Sequence, residues 1–187
     1  MVEILLKGVE LKNLFLAFTL STIFLTGAVQ AGDHPATIDI RGSVTGTTND
    51  CFLSFSKDNA NTAIATLSSK INDLPNQGQN ATNPNWIDYM VSGCESQVAV
   101  ELHGTADDAD GTTLANTDNS ESSAKGVGIG LFDENLAPLN INSNQIVLNP
   151  VNGKAHGKFN LQLVKLNGKT PVEGGVHGSL TVDIVRL

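Results

Sequence analysis

Ala36-Thr37-Ile38-Asp39-Ile40-Arg41-Gly42-Ser43-Val44 alternates without a break: Ala36, Ile38, Ile40, Gly42 and Val44 share one face, and Thr37, Asp39, Arg41 and Ser43 the other. A period of two with β-branched residues predicts a strand that buries one side and wets the other. Strands this close to a chain terminus fray unless something holds them. What holds this one decides the fold.

Upstream, residues 14–25 form an apolar run preceded by Lys7 and Lys12 and followed by the small-residue site Val29-Gln30-Ala31. That pattern predicts a cleaved secretory signal over residues 1–31, too short to span a bilayer comfortably. Glu3 and Glu10 balance the two lysines, so the exported chain keeps the net charge of −8. An acidic balance excludes nucleic acid and anionic membrane surfaces as natural partners. Residues 32–187 suit one domain with a real core.

Both cysteines, Cys51 and Cys94, lie in the exported part. An even count in an oxidising compartment predicts that they pair. In the chain-entropy model, closing a loop of that length is worth roughly 4 kcal/mol.

Downstream, residues 45–50 read as a polar turn, 51–55 as extended, 59–65 as weakly helical and 72–85 as a loop rich in Asn, Gln and Pro. Asn80-Ala81-Thr82 is a formal glycosylation sequon that reads as chance. Ile87, Tyr89 and Val91 alternate with Asp88, Met90 and Ser92 up to Cys94, and Val98, Val100 and Leu102 with Ala99, Glu101 and His103. Residues 105–125 turn to Thr, Asp, Asn and Ser, which predicts a long exposed loop or hairpin arm. Val127, Ile129 and Leu131 interleave with Gly128 and Gly130, marking a strand with close backbone approach. Residues 138–141 and 146–148 are short extended pieces, and Asn152-Gly153 and Asn167-Gly168 are turn signals. Phe159, Leu161 and Leu163 and then Leu180, Val182 and Ile184 carry the last two strands. Strands throughout, with no amphipathic helix of any length, predict an all-β sandwich.

Catalytic and metal constellations are absent from this pattern. His34, His103, His156 and His177 are scattered, with no paired spacing. Asp107-Asp108-Ala109-Asp110-Gly111 has the chemistry of a calcium loop but not its register. With Gly111 at the sixth position, Thr117 falls where the last carboxylate belongs. No cofactor, catalytic residue, metal or small-molecule substrate is expected, and enzymatic activity is not.

Taken together, Ile38-x-Ile40-x-Gly42-x-Val44 before the first cysteine and Ile87-x-Tyr89-x-Val91-x-x-Cys94 around the second resemble the type 1 fimbrial subunits, the chaperone-usher pilins of Gram-negative bacteria. Gly126-Val127-Gly128-Ile129-x-Leu131, Ala137-Pro138-Leu139 and a glycine-rich loop before an alternating C-terminal strand extend the resemblance over residues 32–187. It is strongest to the small single-domain minor and adaptor subunits.

The resemblance implies an incomplete immunoglobulin-like sandwich over 46–187, lacking its seventh strand, with residues 32–45 as a donor-strand extension. The open groove would be filled by a periplasmic chaperone before assembly and by the next subunit's extension afterwards, at an outer-membrane usher. Donor positions would be Ala36, Ile38, Ile40, Gly42 and Val44, a strand addition in which the main chain gives affinity and alternate side chains give specificity. Leu180, Val182 and Ile184 would line the groove, and Gly174 matches the family's recognition glycine. Arg186 stands where the family has a penultimate aromatic, a departure that bears on chaperone docking. The implied protein is an exported surface subunit that polymerises by donor-strand exchange and supports adhesion indirectly. From the residues alone, a self-contained secreted sandwich binding a glycan or protein through residues 105–125 stays open, and it requires an N-terminal strand paired within its own chain.

Overall fold

The computed structural model describes residues 36–44, 51–55, 60–107 and 111–187. The signal segment, His34, the turn 45–50, residues 108–110 of the acidic loop and the side chains of Ser43 and Val44 lie outside the described residues. The described residues form two five-stranded sheets. The first runs in the order β3 (Thr62–Leu67), β1 (Ala36–Val44), β10 (His177–Arg186), β5 (Val98–Gly104), β8 (Gln145–Leu148). The second runs β2 (Phe52–Phe55), β4 (Asn85–Ser92), β9 (Lys154–Lys165), β7 (Val127–Phe132), β6 (Thr113–Leu114).

Alternation along each strand builds the core. Ile38 and Ile40 of β1, Val100 and Leu102 of β5, and Leu180, Val182 and Ile184 of β10 are buried against Tyr89, Val91, Ile129, Leu131, Phe159 and Leu161 of the facing sheet. Tyr89 and Phe159 meet with ring centroids 6.0 Å apart. Cys51 and Cys94 form the expected disulfide, tying the start of β2 to the turn after β4.

Three expectations need correction. Residues 62–67 are the edge strand β3, where weak helix was expected over 59–65. Ala63, Ala65 and Leu67 turn to the core while Thr62, Ile64 and Thr66 face out, and the two alanines dilute the alternation. Residues 105–125 are not simply an exposed arm: Thr113 and Leu114 pair with β7 as β6, and Ser123 and Ala124 are buried. Gly128 makes this possible, because a Cβ there would stand 2.6 Å from Thr113 Cγ2 and 2.9 Å from the Leu114 carbonyl. Residues 138–141 join no named strand, although the Leu139 amide donates to Leu131 O (2.9 Å) and the Ile141 amide to Gly111 O (2.6 Å). The loop expected before β4 is present, and it lies over the outer side of the second sheet. Gln162 Oε1 accepts from the Thr82 and Asn83 amides (2.8 and 3.1 Å), and Ala81 packs with Phe132 and Val164.

Candidate functional site

The site is the slot between β3 and β10, and the chain's own β1 lies in it. β1 runs parallel to β10, with Ile40 opposite Leu180, Gly42 opposite Val182 and Val44 opposite Ile184. It runs antiparallel to β3, with Ile38 opposite Ala65 and Ile40 opposite Ala63. In the sheet order β3 and β10 are joined only through β1. The opening strand is therefore held on both edges by main-chain ladders.

Its inward side chains at Ala36, Ile38 and Ile40 are buried in the slot, at most 1% exposed. Burying two isoleucines adds about 1.5 to 3 kcal/mol each before ordering costs. Gly42 lies against β2, where a Cβ would come within 2.7 Å of Leu53 Cδ2 and 3.6 Å of the Phe55 ring. Its amide donates to Asn61 O at 2.7 Å, so the backbone there is drawn close to the segment entering β3. At the other end the Thr37 amide donates to Val176 O at 2.9 Å.

Charges decorate the outward side of this sheet. His177 Nε2 stands 3.6 Å from Asp39 Oδ2, linking β10 to β1. Further along, Asp183 and Glu101 are directly opposed on β10 and β5, with His103 Nε2 at 3.7 Å and 3.2 Å from their carboxylates. Gln145 Nε2 donates to Glu101 Oε1 at 2.7 Å.

The mouth of the slot at the start of β1 is a polar cleft of about 410 Å³ lined by Thr37, Thr117, Asp118, Asn119, Gly175, Val176 and His177. Asn116 organises it. Its Nδ2 donates to Ser123 Oγ, Ala124 O and Gly175 O at 3.1 to 3.2 Å, and its Oδ1 accepts from the Asp118 and His177 amides at 3.0 Å. The Ser120 amide and hydroxyl hold the Asp118 carboxyl below the usual carboxylate range. Nothing in the sequence singles out Asn116, whose partners lie up to 61 residues away.

The acceptor residues expected from sequence divide. Leu180, Val182 and Ile184 are buried beside β1. Gly174 lies off the strand, in the loop before β10, packed on the backbone of residues 122–124 with no room for a side chain. Arg186 ends β10, exposed and opposite Val98. Among the described residues no cluster of His, Cys, Asp or Glu could hold a metal ion, and no helix is long and apolar enough to cross a membrane.

Known proteins give this geometry its context. A subunit structure from a chaperone-usher pilus superimposes with a TM-score of 0.50 at 13% identity, over 78% of this chain and 93% of that one. A Burkholderia pseudomallei antigen and type I fimbria protein matches with a TM-score of 0.43 at 20% identity, over 75% and 91%. A tip adhesin from Pseudomonas aeruginosa matches with a TM-score of 0.41 at 14% identity; the match covers 60% of this chain but only 36% of the adhesin's length. No curated protein matches the chain in sequence. The family model for the fimbrial protein matches residues 38–185, which takes in all ten strands apart from the ends of the first and last. The chain therefore belongs to the fimbrial protein family.

Proposed function

We propose that this chain is an exported structural subunit of a chaperone-usher fimbria, joined to its neighbours by donor-strand exchange and without chemistry of its own. Residues 1–31 are removed on export to the periplasm, residues 32–45 are the donor extension, and 46–187 are the acceptor domain. A chaperone and then an usher handle the subunit on its way to the cell surface, where the fibre supports adhesion by carrying a binding subunit outward.

The observation that carries this reading is the placement of β1 between β3 and β10. A terminal strand completes the sheet there, bonded on both sides, with alternate side chains in the core. A slot that accepts β1 from its own chain accepts the same strand from another copy, because main-chain ladders and alternate pockets do not record which chain supplies them. Exchange then replaces one ladder by an equivalent one between subunits.

The internal pairing of β1 also fits the second reading, a self-contained secreted sandwich whose ligand binds at residues 105–125. One experiment separates the two. The chain lacking residues 32–45, disulfide intact, is melted with and without a peptide of residues 36–44. Exchange expects a low or absent transition that rises by tens of degrees with peptide and fails to rise when the peptide carries Gly42→Asn. An already stable truncated domain, indifferent to peptide, would falsify exchange and leave the self-contained sandwich.

A further inference from the structure

The two outer sheet faces carry opposite charge balances, and both leave large apolar side chains in water. On the second sheet, Lys154, His156 and Lys158 form one outward column on β9, at successive alternate positions and thus about 6.6 Å apart. Phe52 of β2 and Trp86 of β4 flank it, 58% and 37% exposed, with Lys158 Nζ 4.7 Å from the Trp86 ring centre. Asp88, opposite Lys158, is the one carboxylate among the described outward residues of β2, β4 and β9. On the first sheet the outward carboxylates are Asp39, Glu101 and Asp183, against Arg41 and the two histidines His103 and His177. Ile64 and Val147, 73% and 48% exposed, stand at its two edges.

The acidic face also brings like charges together. Asp183 and Glu101 are directly opposed, an arrangement unfavourable in a sheet and bridged here by His103 Nε2 and, at Glu101, by Gln145 Nε2. Asp183 Oδ1 is buried with no hydrogen-bond partner among the described residues. In a chain with 11 Lys and Arg against 19 Asp and Glu, two lysines in one column are a concentrated share of the positive charge.

We infer that the Lys154/His156/Lys158 column with Phe52 and Trp86 docks on the Asp39/Glu101/Asp183 face of a second copy of this chain. The contact is heterologous, one kind of face against the other, so it repeats from copy to copy instead of closing a pair. It goes beyond donor-strand exchange: it uses the outward side of the first sheet, Asp39 of β1 included, and not the slot. Exposed ion pairs are individually weak, and association of free monomers through this contact is correspondingly weak. Copies already joined in a fibre meet at high effective concentration, which makes the same contact count.

The test uses sedimentation of the mature chain, isolated as monomer with β1 in its own slot, across a concentration series. Expected is self-association at low salt that disappears near 1 M salt, where the Debye length is about 3 Å. Polymers joined by exchange, held by main-chain ladders, survive that salt, so the two kinds of assembly are told apart. K154E/K158E weakens the low-salt association about tenfold, as does E101K/V147K on the other face. An equimolar mixture of the two variants, each confirmed folded by its melt, restores association, because one now offers an acidic β9 column and the other a basic β5/β8 edge. If E101K/V147K does not fold, the test rests on the salt dependence of the parent and its loss in K154E/K158E, and a K154E/K158E chain that associates as the parent does overturns the inference. A chain that stays monomeric at low salt overturns the inference, as does a mixture that fails to associate. Loss of heparin binding by K154E/K158E with chain association intact assigns the column to an acidic polymer and equally overturns it.

Discussion

At the scale of single residues, the largest effects come from side chains that bridge distant segments. Asn116 makes five hydrogen bonds that bind residues 118–124 to the segment entering β10. Asn116→Ala leaves backbone amides and carbonyls at the mouth of the slot without partners, and is expected to cost about 1–3 kcal/mol in a denaturant melt. Asp118→Asn beside it tests the acid limb. The folded carboxyl titrates below its unfolded value, so its stabilisation is present above about pH 4 and lost as pH falls through the lower folded value. The variant should melt slightly below the parent at neutral pH and converge with it in acid. Tyr89 tests the alkaline limb with the opposite sign. Burial, and secondarily the Glu134 charge, push its hydroxyl well above the ordinary value, and that hydroxyl has no partner among the described residues. Stability tied to the neutral phenol is complete below about pH 10 and lost above it. Tyr89→Phe should therefore hold or gain stability at neutral pH and flatten the alkaline loss. Such bridges and orphans are illegible in a sequence, because they depend on which segments the fold brings together.

At the scale of elements, alternation named Ile38, Ile40, Tyr89, Val91, Val100, Leu102, Phe159, Leu161, Leu180, Val182 and Ile184 as inward, and these are buried. On β9 the intervening Asn160, Gln162 and Val164 are buried as well, the last two under the loop before β4. Alternation carries no direction, however, and no address. It predicts that Ile38 and Ile40 are buried without stating whether β1 runs parallel or antiparallel to β10, or whose slot it enters. The missed elements have physical causes of their own. β3 spends two of its three inward positions on alanine, and β6 is only two residues long. The pairing of β1 has a measurable consequence. Ile40→Ala removes a fully buried side chain opposite Leu180 and should cost about 2–5 kcal/mol in the intact chain. The same substitution placed only in the 36–44 peptide should weaken its rescue of the truncated chain. An intact chain whose melt ignores Ile40→Ala would mean that β1 contributes nothing to the folded state, and the account of the slot would fail.

At the scale of the whole molecule, the disulfide couples the slot to the chain that feeds it. Cys51 is the first described residue after β1, and its bond to Cys94 fixes the far end of the 45–50 connector to the turn following β4. That anchor shortens the path over which β1 searches for the slot, raising its effective concentration there. Removing it should act twice. The unfolded chain gains the freedom of an opened loop, worth about 4 kcal/mol, which for a domain of this size lowers Tm by on the order of 10 °C. β1 also becomes easier to displace from its own slot, because its tether is no longer fixed. The paired variant Cys51→Ser/Cys94→Ser should thus lose the loop-entropy amount in both the intact chain and the truncated chain saturated with 36–44 peptide. The intact chain should lose more, since only there does the tether hold the strand. Equal losses in the two contexts would show that the disulfide stabilises the sandwich alone and has no part in holding β1.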